Sequence, residues 1–240
     1  MDEIPVSGKA LLADAICGLT SPLDSLRFMR LKKSLLVMGL APHLVAFIIY
    51  VVLAAKFIVP TVIGFLIEKQ IVPVGWDGYW VLDALFWLFA LTLFALLGPS
   101  IVNTFASPVF DIIAKRTYEY YSGKKLPPES VELILRSFLG ECSKLALWLT
   151  VTIFLATVPF AAFIGGVVAL WFLGWTHVDR TLNLQTLRLG ERLKFGLRHA
   201  PACMTLGLWG VIPGISSIFT FLMASAGAVV VAKAEQRTNQ

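Results

Sequence analysis

Leu145–Val178, LALWLTVTIFLATVPFAAFIGGVVALWFLGWTHV, runs for 34 residues without an acidic or basic side chain other than His177, between Lys144 and Asp179. A straight helix of that length rises about 50 Å, well beyond the roughly 30 Å hydrocarbon core of a bilayer, whereas two full crossings need about 20 residues each. The stretch is too long to cross once and too short to cross twice. Pro159 stands fifteenth after Lys144 and removes a backbone donor near the middle, and Gly165 and Gly166 follow it. The pattern predicts a re-entrant hairpin over 145–178: two half-spanning helices with the chain turning back around Pro159, Gly165 and Gly166. Irregular backbone at that depth is tolerated where protein or a watery cavity shields it.

The same arrangement recurs. His199–Ala232 holds 34 residues between Arg198 and Lys233, with Pro213 again fifteenth after the leading cation and Gly214 beside it. A second hairpin over 199–232 follows. Transporters often build their sites from paired broken helices of this kind. The GxxxG spacing of Gly210 and Gly214 could pack helices closely, but with Pro213 between them a hairpin turn is the better reading. Two further uncharged runs, 22 residues over Ser34–Ala55 and 27 over Ala84–Phe110, have the lengths of complete spans. With 58% hydrophobic and only 15% charged residues, the chain is too oily for a water-soluble domain, and the bilayer is its solvent.

Lys and Arg report the orientation. They number five before residue 34, two in 56–83, six in 111–144, five in 177–198 and two in the tail. Four full spans would place thirteen on one side and seven on the other; two spans with two hairpins place eighteen against two. The positive-inside rule selects the second topology, with both termini cytosolic and residues 56–83 outside, their Trp76, Tyr79 and Trp80 at the interface. The +5 net charge then meets anionic headgroups, and nucleic acid is not an expected partner.

The predicted class is an all-α integral membrane protein: two long transmembrane helices within 34–110, two half-spanning hairpins and cytosolic amphipathic helices. Segment 1–33 is the amphipathic entry. Its Leu11, Leu12, Ala15, Ile16 and Leu19 suit the inner leaflet, and Ser21-Pro22 restarts a helix. Asp111–Tyr121 extends the second span as far as Ser122-Gly123. After Pro127-Pro128, Val131, Ile134, Leu135 and Phe138 trace another amphipathic helix within the cytosolic cap, 111–144. Met1-Asp2-Glu3 has no basic leader region, so no removable signal peptide is expected. Cys17, Cys142 and Cys203 lie far apart and read as reduced packing residues, with no metal site. No phosphate-binding loop, paired zinc histidines, nucleophile elbow or carboxylate cluster occurs, so neither an enzyme nor a cofactor is expected.

Three separated patches resemble one family. Leu31-Lys32-Lys33-Ser34-Leu35-Leu36 resembles the Gly-Leu-Arg-Arg start of the first span in the CysZ family of bacterial sulfate transporters, within the etoposide-induced-protein superfamily. Ala106-Ser107-Pro108-Val109-Phe110-Asp111 resembles its Ala-Ala-Pro-Phe-Asn/Asp segment. Phe195-Gly196, Ile212-Pro213 and Ala226-Gly227-Ala228 resemble its Phe-Gly, Ile-Pro-Leu and Gly-Ala-Thr positions, and Glu141, Lys144 and Trp148 its Glu, Lys and Trp. The resemblance spans roughly 15–235. It implies two long helices plus two hairpins, and an inner-membrane sulfate permease for sulfur assimilation and cysteine biosynthesis, without an ATPase of its own. It also implies sulfate binding at Arg30, Leu31, Lys32 and Lys33, where Arg30 replaces the glycine and lysines replace both arginines.

That loop suits a dianion, because it joins positive charge to a helix N-terminus with free amides. Lysines are point charges where arginines are bidentate forks, so broader anion selectivity is expected. Ordinary anchoring of the four cations Arg27, Arg30, Lys32 and Lys33 on lipid phosphate is an equal reading. His43, inside the first run, is a candidate for proton coupling, although a packing histidine is the simpler reading. Asp111, Glu141 and Lys144 border the runs, as does Asp179; they could line an ion path, but structural ion pairing explains them more simply. The expected partners are sulfate or a related small anion, membrane lipids and further copies in a homo-oligomer. The competing function is a non-transporting membrane scaffold or lipid-interacting protein of the same superfamily.

Overall fold

The computed structural model describes residues 8–69, Trp80, 84–91, 105–128, 161–212 and 220–238, with isolated positions between 130 and 150. Every regular element among them is helical: α1 Gly8–Leu31, α2 Lys33–Leu53, α3 Val59–Glu68, α4 Ser107–Ser122, α5 Ala161–Leu184, α6 Leu189–Arg198, α7 Ala200–Val211 and α8 Thr220–Thr238. The expected all-α class holds. Pro159, Pro213, Gly214, Glu141, Ile134, Trp76 and Tyr79 lie outside the described residues.

The centre of the bundle is α8. Its Phe221 and Met223–Ala232 are buried, a helix apolar on all sides because α1, α4, α5 and α7 pack around it. Small residues allow this. A side chain at Gly227 would collide with the His177 carbonyl of α5, and Ser225 and the Thr117 hydroxyl of α4 share a buried hydrogen bond of 2.9 Å. Between α5 and α7, Gly174 meets the Cys203 carbonyl and Gly207 the Leu170 carbonyl, so neither position has room for a Cβ.

Long apolar surfaces of α2 remain uncovered. Only Leu35 and Gly39 are buried, while Val37, Leu44, Val45, Ile48, Ile49 and Val52 are exposed. A helix exposing such residues on most sides is stable in lipid, where tails supply the apolar contact that water cannot. Among the described residues, one helix is long and apolar enough to cross a membrane by length and composition, Lys33–Leu66.

That helix corrects the first span, expected to end at Ala55. The chain passes through a π turn at Ala54–Ile58 and continues as α3 to Glu68, so the first part of the expected outside loop is helical. Pro60 gives the reason. It cannot donate toward Lys56 and its ring crowds that carbonyl, and the wider turn just before it absorbs both effects without ending the helix. At 34 residues the helix rises about 51 Å and must tilt or bend to fit a bilayer. Tyr50 ties it to the helical segment 84–91, donating 2.5 Å to the Ala90 carbonyl.

Other expectations also change. Ser21-Pro22 does not restart a helix, because α1 runs through Pro22. The Gly18 carbonyl, deprived of its usual donor, accepts instead from the Ser21 hydroxyl at 3.0 Å. Nor does α1 only lie flat: Cys17, Gly18, Ser21, Ser25, Phe28 and Met29 are buried in the bundle, while Leu12, Ile16, Leu19 and Leu23 stay exposed. Gly165 and Gly166, expected at the first reversal, lie inside α5. A continuous helix satisfies its own backbone in apolar surroundings, which outweighs the roughly 1 kcal/mol glycine penalty. Among the described residues, Val131, Leu135 and Phe138 are exposed. The stop after α4 is as read, with Gly123 left-handed at φ 70° and its N–H donating to the Glu119 carbonyl.

Candidate functional site

The junction of α1 and α2 is one extended residue. Lys32, at φ −118° and ψ 67°, donates its N–H to the Phe28 and Met29 carbonyls, 3.0 and 3.1 Å, and accepts from the Leu35 N–H at 2.9 Å. No side chain caps α2, so the first amides of the helix, those of Lys33 and Ser34, face outward with the positive end of the helix dipole. Arg30, Leu31, Lys32, Lys33 and Ser34 are all exposed. The four residues expected to hold an anion therefore sit together on a basic, uncapped helix start.

His43 lies ten residues along α2. Its Nδ1 is 3.1 Å from the Gly39 carbonyl, and its ring is 5.7 Å from that of Phe110 and 6.4 Å from that of Phe221. It is wedged where α2 meets α4 and α8, with a buried Nε2 that has no partner among the described residues. Packing places it there.

The border charges form buried ion pairs. Arg180 of α5 donates to Asp111 of α4 at 2.9 Å and to the Ser107 carbonyl and hydroxyl at 3.1 Å each, its guanidinium 5.6 Å from the Phe110 ring. Asp179, fully buried, receives Lys144 at 3.0 Å and Arg192 at 2.9 Å on the same oxygen, Oδ2. Its Oδ1 has no hydrogen-bond partner among the described residues. Asp111 and Lys144 are thus brought to α5, one residue apart, but His43 reaches this group only through Phe110. Sequence reasoning missed Arg180 and Arg192. The adjacent Asp179-Arg180 pair at the end of a long apolar run was the available signal, since neighbouring helix positions face apart and each needs its own partner.

A second set of charges gathers at the end of α8. Glu235 accepts from Lys124, Gln185 and Tyr118 at 2.6, 2.7 and 2.9 Å. Burial pushes its carboxyl up, but these three donors outweigh that and hold it below the ordinary range, while the bond to Glu235 raises the Lys124 ammonium. Asp14 pairs with His199 at 2.8 Å and Arg237 at 2.7 Å, and Asp24 with Lys233 at 2.6 Å, tying α1 to α7 and α8. Beside them opens a cleft of about 650 Å³ lined by Lys124, Glu191, Lys194, Phe195, Arg198 and His199.

The model of the family described as sulfate transporter CysZ/etoposide-induced protein 2.4 matches residues 21–231. The chain belongs to this family. The match runs from the middle of α1 through most of α8 and takes in the α1–α2 junction, both sets of buried ion pairs on α5 and the helix core. A CysZ/etoposide-induced-type chain is a membrane protein of a transporter-type family, in agreement with the uncovered faces of α2. Comparison with curated proteins gives no match.

Proposed function

We propose that the chain is a permease for sulfate or a closely related small anion, importing it across the bacterial inner membrane for sulfur assimilation and cysteine biosynthesis without hydrolysing ATP. The observation that carries this reading is the exposed, uncapped start of α2 with Arg30, Lys32 and Lys33 around it, in a chain of a sulfate-transporter family. A dianion leaving water needs both charge and directed N–H donors, and this junction supplies both. Leu31 contributes backbone.

In this reading the protein is multi-pass with both termini cytosolic, and the chain reversals are covered by neighbouring copies in a homo-oligomer. Asp111, Glu141, Lys144 and His43 are the ion-path candidates. Two cations on one oxygen of Asp179 favour such a path: either Lys144 or Arg192 can turn to a passing anion while the other keeps the carboxylate paired.

The test is sulfate binding and flux in purified and liposome-reconstituted protein, with sulfite, phosphate and chloride as competitors. Lys32→Ala with Lys33→Ala should weaken binding at least tenfold, and Lys124→Ala with Lys125→Ala should change it little. Equal losses would reduce the junction to a general surface field. Absence of binding and of flux would favour the non-transporting scaffold.

A further inference from the structure

One face of α6 is left largely uncovered by the described residues. Leu189, Leu193 and Leu197, four residues apart and hence on one side of the helix, are 56%, 38% and 60% exposed. The helix cannot roll to hide them, because an adjacent side is fixed. Arg192 is buried on Asp179, Trp171 donates its indole N–H to the Gly196 carbonyl at 3.0 Å, and Trp175 donates to the Arg192 carbonyl at 3.3 Å. The two indoles stack at 5.6 Å and 9°, and Gly196 leaves no room for a side chain beside Trp175.

We propose that α6 is an interfacial anchor, its leucine face bedded in the headgroup layer of a leaflet containing anionic lipid. Three observations select lipid over a second copy of the chain. First, the clamp sits at the end of the long apolar run of α5, beside Asp179, where a membrane-embedded segment gives way to the headgroup layer. Second, the charge is complementary to lipid phosphate. Arg188, Lys194 and Arg198 are exposed, whereas Glu191, the one acidic residue of α6, turns back to accept the Arg188 N–H at 2.8 Å. Third, the opposite side of the helix, through Glu191, Lys194, Phe195 and Arg198, lines the charged cleft, so α6 divides an apolar from a polar side. Lys194 and the two arginines reach phosphate by extending their stems along the helix.

The inference rests on the membrane setting of the chain and not on sulfate. A bimane label at Leu193→Cys, in a Cys142→Ser background where Cys17 and Cys203 are buried, reports the surroundings of the face. Lys125→Cys in the same background is the aqueous control. In phosphatidylcholine vesicles with phosphatidylglycerol, a shallow nitroxide lipid should quench the label at 193 several-fold more than aqueous iodide does, and the order should reverse at 125. Leaving out phosphatidylglycerol, or replacing Arg188, Lys194 and Arg198 with glutamine, should shrink the lipid quenching at least twofold. Iodide quenching that dominates at both positions would overturn the anchor. So would disulfide or bis-maleimide linkage of position 193 to a second copy with no lipid quenching. Neither result would alter sulfate flux, so the anchor and the permease stand or fall separately.

Discussion

Arg180 and Asp111 meet at 2.9 Å across the α4–α5 contact, both more than nine-tenths buried. A buried pair is costly to assemble and costlier to break, because losing one partner leaves a bare charge in a poorly polarisable interior.

Asp111→Ala should therefore destabilise the protein by about 3–5 kcal/mol, while Asp111→Leu combined with Arg180→Met should recover most of the loss. Thermal unfolding in detergent checks this. A double variant no better than the single one would mean that these residues act through something other than their mutual charge.

Helix approach gives a second prediction. Gly207→Ala would push a methyl group into the Leu170 carbonyl and part α5 from α7, at about 1–3 kcal/mol, as an overpacked core does. Gly64→Ala on α3 meets nothing within 4 Å and should be neutral or stabilising by up to about 1 kcal/mol. The unfolding midpoint should fall for Gly207→Ala and hold or rise for Gly64→Ala.

Acidity should loosen the end of α8. The folded carboxyl of Glu235 lies below its ordinary 4.5, so its contribution is present above that value and disappears as pH falls through the lower, folded one. Glu235→Gln should flatten the acid limb of a stability–pH curve. The raised Lys124 acts at the other end: its contribution holds below 10.5 and is lost as pH climbs through the higher folded value.

Sidedness is open to labelling. Single cysteines at Ser122, next to the left-handed stop of α4, and at Thr186, in the turn between α5 and α6, should both react from the cytosolic side. Reaction from opposite faces would exclude the two-hairpin topology.

Much of this architecture can be read from one sequence, and the exceptions share a physical cause. The start of α2 at Lys33 and the stop at Gly123 follow from local chemistry that nothing distant opposes. Pro22 misleads because a side chain, the Ser21 hydroxyl, compensates for it, and Lys56 because a charge that closes an apolar run does not end the helix, which passes on through the π turn. At the candidate site the basic cluster of Arg30–Lys33 was legible, since charge density and helix position are both linear features. Arg180 and Arg192 were not, because their partners lie 69 and 13 residues away and only packing decides which cation meets which carboxylate.

The burial of α8 also bears on how the molecule is made. Synthesis runs from the N-terminus, so α1, α4, α5 and α7 all leave the ribosome before the helix that fills the space between them. Until residues 220–238 arrive, the faces of α1, α4 and α5 that will pack on α8 have only lipid or an insertion chaperone to cover them. A nascent chain stalled before Thr220 is thus a set of inserted helices without a hub, a natural point at which quality-control proteases would recognise unfinished product.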